Sequence, residues 1–177
     1  MLKLIVFDCD GVMFDSKEAN RVYYNDLLAA FDYPEMSEEE LAFVHMHNVN
    51  DSIAHIFRHY PTQDLGEVHR LRQDIDYSQY LHHMKMEPDL IEFLSYAGQR
   101  FQLAISTNRT NTMRPLLRKH GLADYFQLVV TAADVKNPKP APDALLKILD
   151  YFSCTAAETV FIGDSHIDQL HTESLGV

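Results

Sequence analysis

Four short runs constrain the fold of this chain more than any other feature. LKLIVF (2–7), FQLAIS (101–106), FQLVV (126–130) and TVFIG (159–163) are nearly continuously apolar and do not alternate. A strand with one wet face alternates apolar and polar residues, whereas a strand covered on both faces reads as an unbroken apolar run. Helical patterns separate the last three runs. Residues 111–120 (NTMRPLLRKH) end at Gly121, a natural helix stop. Residues 141–152 (APDALLKILDYF) carry a proline near the first turn and repeat apolar positions at helical spacing. This alternation predicts an α/β fold with a doubly wound, mostly parallel sheet.

Residues 16–86 break the rhythm. No strand pattern lies between the first two runs, and helix signals are dense there instead. Asp15 with Glu18, and Ser37 with Glu40, have the spacing of capping boxes. Further helices are predicted over 51–59 and 64–83, and Pro34 and Pro61 punctuate the joints. The reading is an α/β core domain made of 1–15 and 87–177, with a helical domain, 16–86, inserted after the first strand.

Composition narrows the function classes. With 15 Lys and Arg against 26 Asp and Glu, the 177-residue chain carries a net charge of −11. Nucleic acids and anionic membranes both need a basic footprint, so neither is an expected partner. No apolar run approaches the roughly 20 residues that span a bilayer. The opening stretch has no signal-peptide pattern. Cys9 and Cys154 lie far apart and offer no metal or disulfide spacing, so reduced thiols and a cytoplasmic location are expected.

In an open α/β sheet, ligands bind outside the carboxyl ends of the strands. The first run delivers Asp8, Asp10 and Gly11 there; the second delivers Ser106, Thr107 and Asn108. After the third comes DVKNPKPAPD with Lys136 and Lys139, and the fourth delivers Gly163, Asp164, Ser165 and Asp168. Two carboxylates one residue apart disfavour each other's ionisation unless a cation or proton intervenes. Asp8, Asp10 and Asp164 offer hard oxygen ligands suited to Mg2+. A lysine and a hydroxyl beside backbone N–H groups can hold phosphate oxygens. One carboxylate can then attack phosphorus while a second moves the proton. Lys136 competes with Lys139 for the cation's place, and Ser106 with Thr107 for the hydroxyl's. Cys9 points away from its acidic neighbours by alternation and reads as a buried structural thiol.

DCDGVMFDS, ISTNR, NPKPAPD and FIGDSHID, in this order, resemble the four motifs of the haloacid dehalogenase-like phosphohydrolase superfamily. The resemblance runs from residue 2 to the chain's end and is closest to the phosphoglycolate phosphatase and β-phosphoglucomutase branch. It implies a Mg2+-dependent phosphatase acting on a small phosphorylated metabolite through an aspartyl-phosphate intermediate, with a helical cap between the first two motifs. It makes Asp8 the nucleophile and Asp10 the general acid/base. Thr107 and Asn108 become phosphate-binding residues, and Lys139 steadies phosphate and nucleophile. The metal ligands it implies are Asp8, Asp10 (through its main-chain carbonyl), Asp164 and, as an outer acid, Asp168.

The family places its specificity loop at 45–50, which makes His47 and Asn48 substrate-reading candidates, with Asn20 behind them. The histidines His45, His47, His55 and His59 lack the cysteine or glutamate that would complete a zinc site. The alternatives are a phosphosugar mutase of the β-phosphoglucomutase type and a catalytically silent binding protein on the same fold. Sugar mutases of the branch carry a histidine where Asn20 aligns, which argues against the first; the presence of both Asp8 and Asp10 argues against the second. The family pattern adds a strand and a helix beyond SLGV, so the C-terminal part of the core is expected to be short, with an uncovered sheet edge that favours self-association.

Overall fold

The computed structural model describes residues 1–47 and 49–177, with Met46 described by its backbone alone. The chain forms two compact units, one of Met1–Asp15 with Met86–Val177 and the other of Ser16–Lys85.

The first unit opens with strand β1 (Leu4–Phe7), buried along its whole length, and a two-residue strand β2 (Phe14–Asp15). Then follow, in the second unit, helices α1 (Lys17–Ala29), α2 (Glu38–Met46), α3 (Val49–Ile56) and α4 (Leu65–Asp74) and a 3-10 turn over Tyr77–His83. The chain returns through strand β3 (Lys85–Met86) and continues with α5 (Leu90–Ala97), β4 (Gln102–Thr107), α6 (Met113–Lys119), β5 (Leu128–Thr131), α7 (Asp143–Phe152), β6 (Thr159–Ile162) and α8 (His166–Glu173).

Four strands make a parallel sheet in the order β5-β4-β1-β6. The register sets Phe7 level with Ile105 and Ile162, and Thr107 level with Thr131. The exits of β1, β4 and β6 therefore open on one edge of the sheet, with β1 central. One face is covered by α7, whose Ala144, Leu145 and Ile148 pack with Leu4, Val6, Ala104 and Val130. On the other face the Phe7 ring meets Phe93 and Phe126 edge-on, with centroids 6.0 and 5.8 Å apart. Covering both faces is what the unbroken apolar runs require. Helix α6 stops at Gly121 with φ of 68°, as its glycine predicts. Helix α7 ends instead on Ser153 in the left-handed region, φ 51°, a stop that carries no glycine signal.

The helical unit corrects two expectations. The Asp15–Glu18 capping box does not form: Asp15 lies in extended β2, the helix begins after Ser16, and Ser16 makes no side-chain cap bond. Its residue Glu18 instead pairs with Arg21 at 3.3 Å. The helix expected over 64–83 is broken at Ile75, because the Asp76 carboxylate accepts from Ser78 N at 3.0 Å and starts a tighter turn. The Ser37–Glu40 capping box is present in full. This unit is held by an apolar centre of Leu27, Leu41, Ile53, Ile56 and Val68, and by a tyrosine cluster. Tyr23 contacts the rings of Tyr24, Tyr77 and Tyr80 at 4.9, 5.1 and 5.4 Å, and Tyr80 OH donates to Asp26 at 2.8 Å. Among the described residues, no helix is long and apolar enough to cross a membrane.

Candidate active site

The chain turns sharply where β1 ends. Met13 N and Phe14 N both donate to Cys9 O, Gly11 N donates to Phe14 O, and Gly11 takes φ of 75°. That turn leaves Asp8 at the strand exit, 8% exposed, and swings Asp10 out to the loop. Cys9 is fully buried, and burial together with the neighbouring Asp10 pushes its thiol pKa well up, so it is inert packing as expected.

Lys139 sits between two carboxylates. Its Nζ lies 2.8 Å from Asp8 Oδ1 and 2.6 Å from Asp168 Oδ1, and its side chain is 3% exposed. Lys136 is exposed and takes no part. Burial raises the Asp8 carboxyl to about 6; the Lys139 charge opposes the rise and the Asp168 charge adds to it. Asp168 does double duty, because its second oxygen accepts from Ser165 Oγ at 2.6 Å and closes the capping box that starts α8. Asp168 therefore joins the lysine to the start of α8.

Asp164 approaches from the β6 exit across the bare face of Gly11. A Cβ on Gly11 would stand 1.8 Å from Asp164 Oδ2, so only glycine admits that carboxylate. Gly163 works similarly for Asp168, whose Cβ would lie 2.5 Å from an added Cβ. Oxygens of Asp8, Asp164 and Asp168 come within 4.8 Å of one another, and among the described residues this is the only group of three or more acidic, histidine or cysteine side chains placed to hold a metal ion. Three hard oxygen donors in a cradle cleared by glycine fit Mg2+.

The β4 exit supplies the rest. Thr107 is buried, and its Oγ1 accepts from Arg109 N at 3.2 Å. Ser106 faces inward to His171, with 3.1 Å from Oγ to Nε2, so by alternation the Thr107 side chain points to the opposite face of β4. Asn108 Nδ2 donates to Lys139 O at 3.0 Å and ties this loop to the lysine loop.

The remaining candidates lie in the helical unit. Asn20 Oδ1 accepts from Tyr77 OH at 3.2 Å. The His47 ring folds back on its own helix, with Nδ1 2.8 Å from Phe43 O and the ring stacked on Phe43 at 3.7 Å; His55 also stacks on Phe43 at 3.7 Å. Asn48 lies outside the described residues.

Two residues escaped the sequence reading. Arg109 grips both oxygens of Asp10, with Nε to Oδ2 at 2.8 Å and Nη2 to Oδ1 at 2.7 Å. His171 is fully buried; its Nδ1 donates to Ala141 O at 2.7 Å while Nε2 takes the Ser106 hydroxyl. Arg109 adjoins Asn108 and was visible by proximity, but nothing in spacing pairs it with Asp10. His171 falls one helical turn after Asp168, which placed it near the site without naming its partners.

A parallel α/β sheet whose strand exits gather three carboxylates and a buried lysine defines a hydrolytic enzyme of the phosphoryl-transfer kind. The chain belongs to the haloacid dehalogenase-like hydrolases: the model of that family matches residues 5–177. It is 30% identical over 184 residues to a phosphoglycolate phosphatase of Vibrio parahaemolyticus, covering 99% of this chain and 81% of that one. It is 24% identical to the pyrophosphatase PpaX of Bacillus pumilus, covering 99% of this chain and 80% of the relative. Among solved structures, a HAD-superfamily hydrolase of subfamily IA, variant 1, from Geobacter sulfurreducens superposes with a TM-score of 0.88 at 36% identity, covering 100% of this chain and 87% of that one. The protein is therefore an enzyme of this hydrolase family, with a phosphatase's kinship.

Proposed function

We propose that the protein is a Mg2+-dependent phosphomonoesterase of the cytoplasm that hydrolyses a small phosphorylated metabolite through an aspartyl phosphate on Asp8. The observation that carries the reading is the Lys139 ammonium set between Asp8 and Asp168 at 2.8 and 2.6 Å, beside Asp164, at the sheet edge. Asp8 Oδ attacks phosphorus; the new O–P bond forms as the ester P–O bond breaks. Asp10 gives its proton to the departing oxygen. Water then attacks the acyl phosphate, Asp10 takes the water's proton, and inorganic phosphate leaves with Asp8 restored. Lys139 stays charged throughout and offsets negative charge on Asp8 and the phosphoryl oxygens. The Thr107 hydroxyl and the backbone at Asn108 orient those oxygens. Mg2+, held by Asp8, Asp164 and the Asp10 main-chain carbonyl with Asp168 behind them, supplies further charge neutralisation when bound.

The kinship with phosphoglycolate phosphatases makes phosphoglycolate the first substrate to test. The free thiols Cys9 and Cys154 support the compartment. Hydrolysis of phosphoglycolate and of p-nitrophenyl phosphate should require Mg2+, and Asp8→Asn should abolish both while leaving the circular-dichroism melting curve cooperative. Substantial turnover by Asp8→Asn would overturn the nucleophile assignment.

A further inference from the structure

Arg109 is built into the site more firmly than a surface arginine. Its N–H donates to Thr107 Oγ1 at 3.2 Å, and its carbonyl accepts from Ala132 N at 3.0 Å, so the backbone is pinned on both sides. The guanidinium sends Nη1 to Thr112 Oγ1 at 3.2 Å and closes a two-pronged grip on Asp10 with Nε and Nη2. The Arg109 side chain is 8% exposed, whereas that of Asp10 is 38% exposed. Asp10 therefore lies on a loop open to solvent, yet its carboxylate plane is dictated by a buried fork carried on a different strand exit.

We infer that Arg109 is the positioning residue for Asp10, fixing the plane and the reach of the carboxyl that exchanges protons with the leaving oxygen and the attacking water; the inference rests on the phosphatase reading above. A carboxylate has about four lone-pair sites, two on each oxygen, so a bidentate guanidinium does not by itself exhaust the carboxyl's capacity to carry a proton. In the forward step a proton held at a remaining site of the carboxyl passes to the ester oxygen as its bond to phosphorus breaks. In the second step the same site takes the proton that water releases as it bonds to phosphorus. A planar fork fixes both the direction and the rotation of the carboxyl, and a lysine's point charge cannot. A loop carboxyl left to rotate would miss the geometry that proton transfer demands.

Leaving-group dependence separates a positioned Asp10 from a merely stable loop. An aryl phosphate such as p-nitrophenyl phosphate departs without much help, whereas an alkyl phosphate needs the proton. The kcat/KM values of Arg109→Lys, Arg109→Ala and Thr112→Val are compared with wild type over a series of aryl and alkyl phosphates, with melting curves as the fold check. Arg109→Lys and Arg109→Ala are expected to lose on the order of 10-fold or more on the alkyl esters, part of the 10²–10⁴-fold that general acid–base catalysis supplies, and little on the best aryl ester. Thr112→Val, which removes only the Nη1–Thr112 contact, is expected to show the same trend more weakly. In an Asp10→Asn background the arginine changes should add nothing, because the group they orient can no longer transfer a proton.

An equal loss on every ester, or a full additional loss on top of Asp10→Asn, would overturn the role of Arg109 and leave the phosphatase reading standing. Absence of any Mg2+-dependent turnover by the wild type would overturn both.

Discussion

Gly11 shows how a single missing carbon shapes the site. It takes φ of 75°, which an L side chain resists, and it gives its Cα face to Asp164, whose Oδ2 would be 1.8 Å from an added Cβ. Gly11→Ala is therefore strained twice, at its backbone and against a carboxylate that has to move. The backbone part costs about 1–2 kcal/mol. The displaced carboxylate should weaken the response to Mg2+ by 10-fold or more, on the order of one lost charged ligand. Titrating activity against Mg2+ checks this, and an unchanged half-saturating concentration would show that Asp164 does not depend on the glycine. At this scale the acids, Thr107 and Lys139 were legible because each ends or follows an apolar run, and burial of the run locates the residue after it. Arg109 and His171 were not, because their meaning comes from partners across the fold. Asp10 is 99 residues from Arg109, and Ser106 is 65 from His171.

Among the elements, α8 ties the core's site segments together. Its Ser165–Asp168 capping box turns the helix N-terminus toward Lys139, and one turn later His171 reaches Ala141 O and Ser106 Oγ. One short helix thereby braces the lysine loop and the β4 exit. The Nδ1 atom faces a carbonyl and must carry a proton, so in the neutral ring Nε2 is the nitrogen left to accept the Ser106 hydroxyl. Burial lowers the His171 pKa below its usual 6.5, helped by the Lys139 charge and opposed by the Ala141 bond and Asp168. With a depressed value, the unfolded chain binds a proton that the folded chain refuses as pH falls below 6.5. Stability from this group is full above 6.5 and is lost on acidification toward its folded value. His55 and His120 are also lowered and pull the same way, whereas Asp8, raised to about 6, pulls the other way. The difference between wild type and His171→Gln isolates the one group. His171→Gln should lose about 1–3 kcal/mol at pH 7.5, the cost of broken buried hydrogen bonds, and should lose less of its remaining stability than wild type on moving to pH 5.5. Urea midpoints at the two pH values test it, and parallel losses would refute it. Element boundaries were legible where side chains and backbone agreed, as at Ser37 and Gly121. They were missed where a polar side chain competed locally, as Asp76 did within the predicted 64–83 helix, or where an extended residue pre-empted a cap, as at Asp15.

For the whole molecule, the candidate site residues divide between the two units. Asp8, Asp10, Thr107, Asn108, Lys139, Asp164 and Asp168 all belong to the unit of Met1–Asp15 and Met86–Val177, whereas Asn20 and His47 belong to Ser16–Lys85. The parallel sheet was legible from four runs because covered strands admit almost no polar residue. The helical unit was legible only as helices, since packing among its tyrosines leaves no periodic mark that names a ligand. A metal held by acids of one unit should stabilise that unit alone. Binding at ten times the dissociation constant contributes about 1.4 kcal/mol to whatever unfolds with loss of the site. Added Mg2+ should therefore slow amide hydrogen exchange in β1, β4, β6 and α8 by about 10-fold, since each 1.4 kcal/mol is a factor of ten in the opening equilibrium. Amides of α1, α2 and α4 should be unchanged, and Asp164→Asn should erase the protection. Equal protection of both units would mean that they open together, and protection confined to the helical unit would move the metal away from the acids altogether.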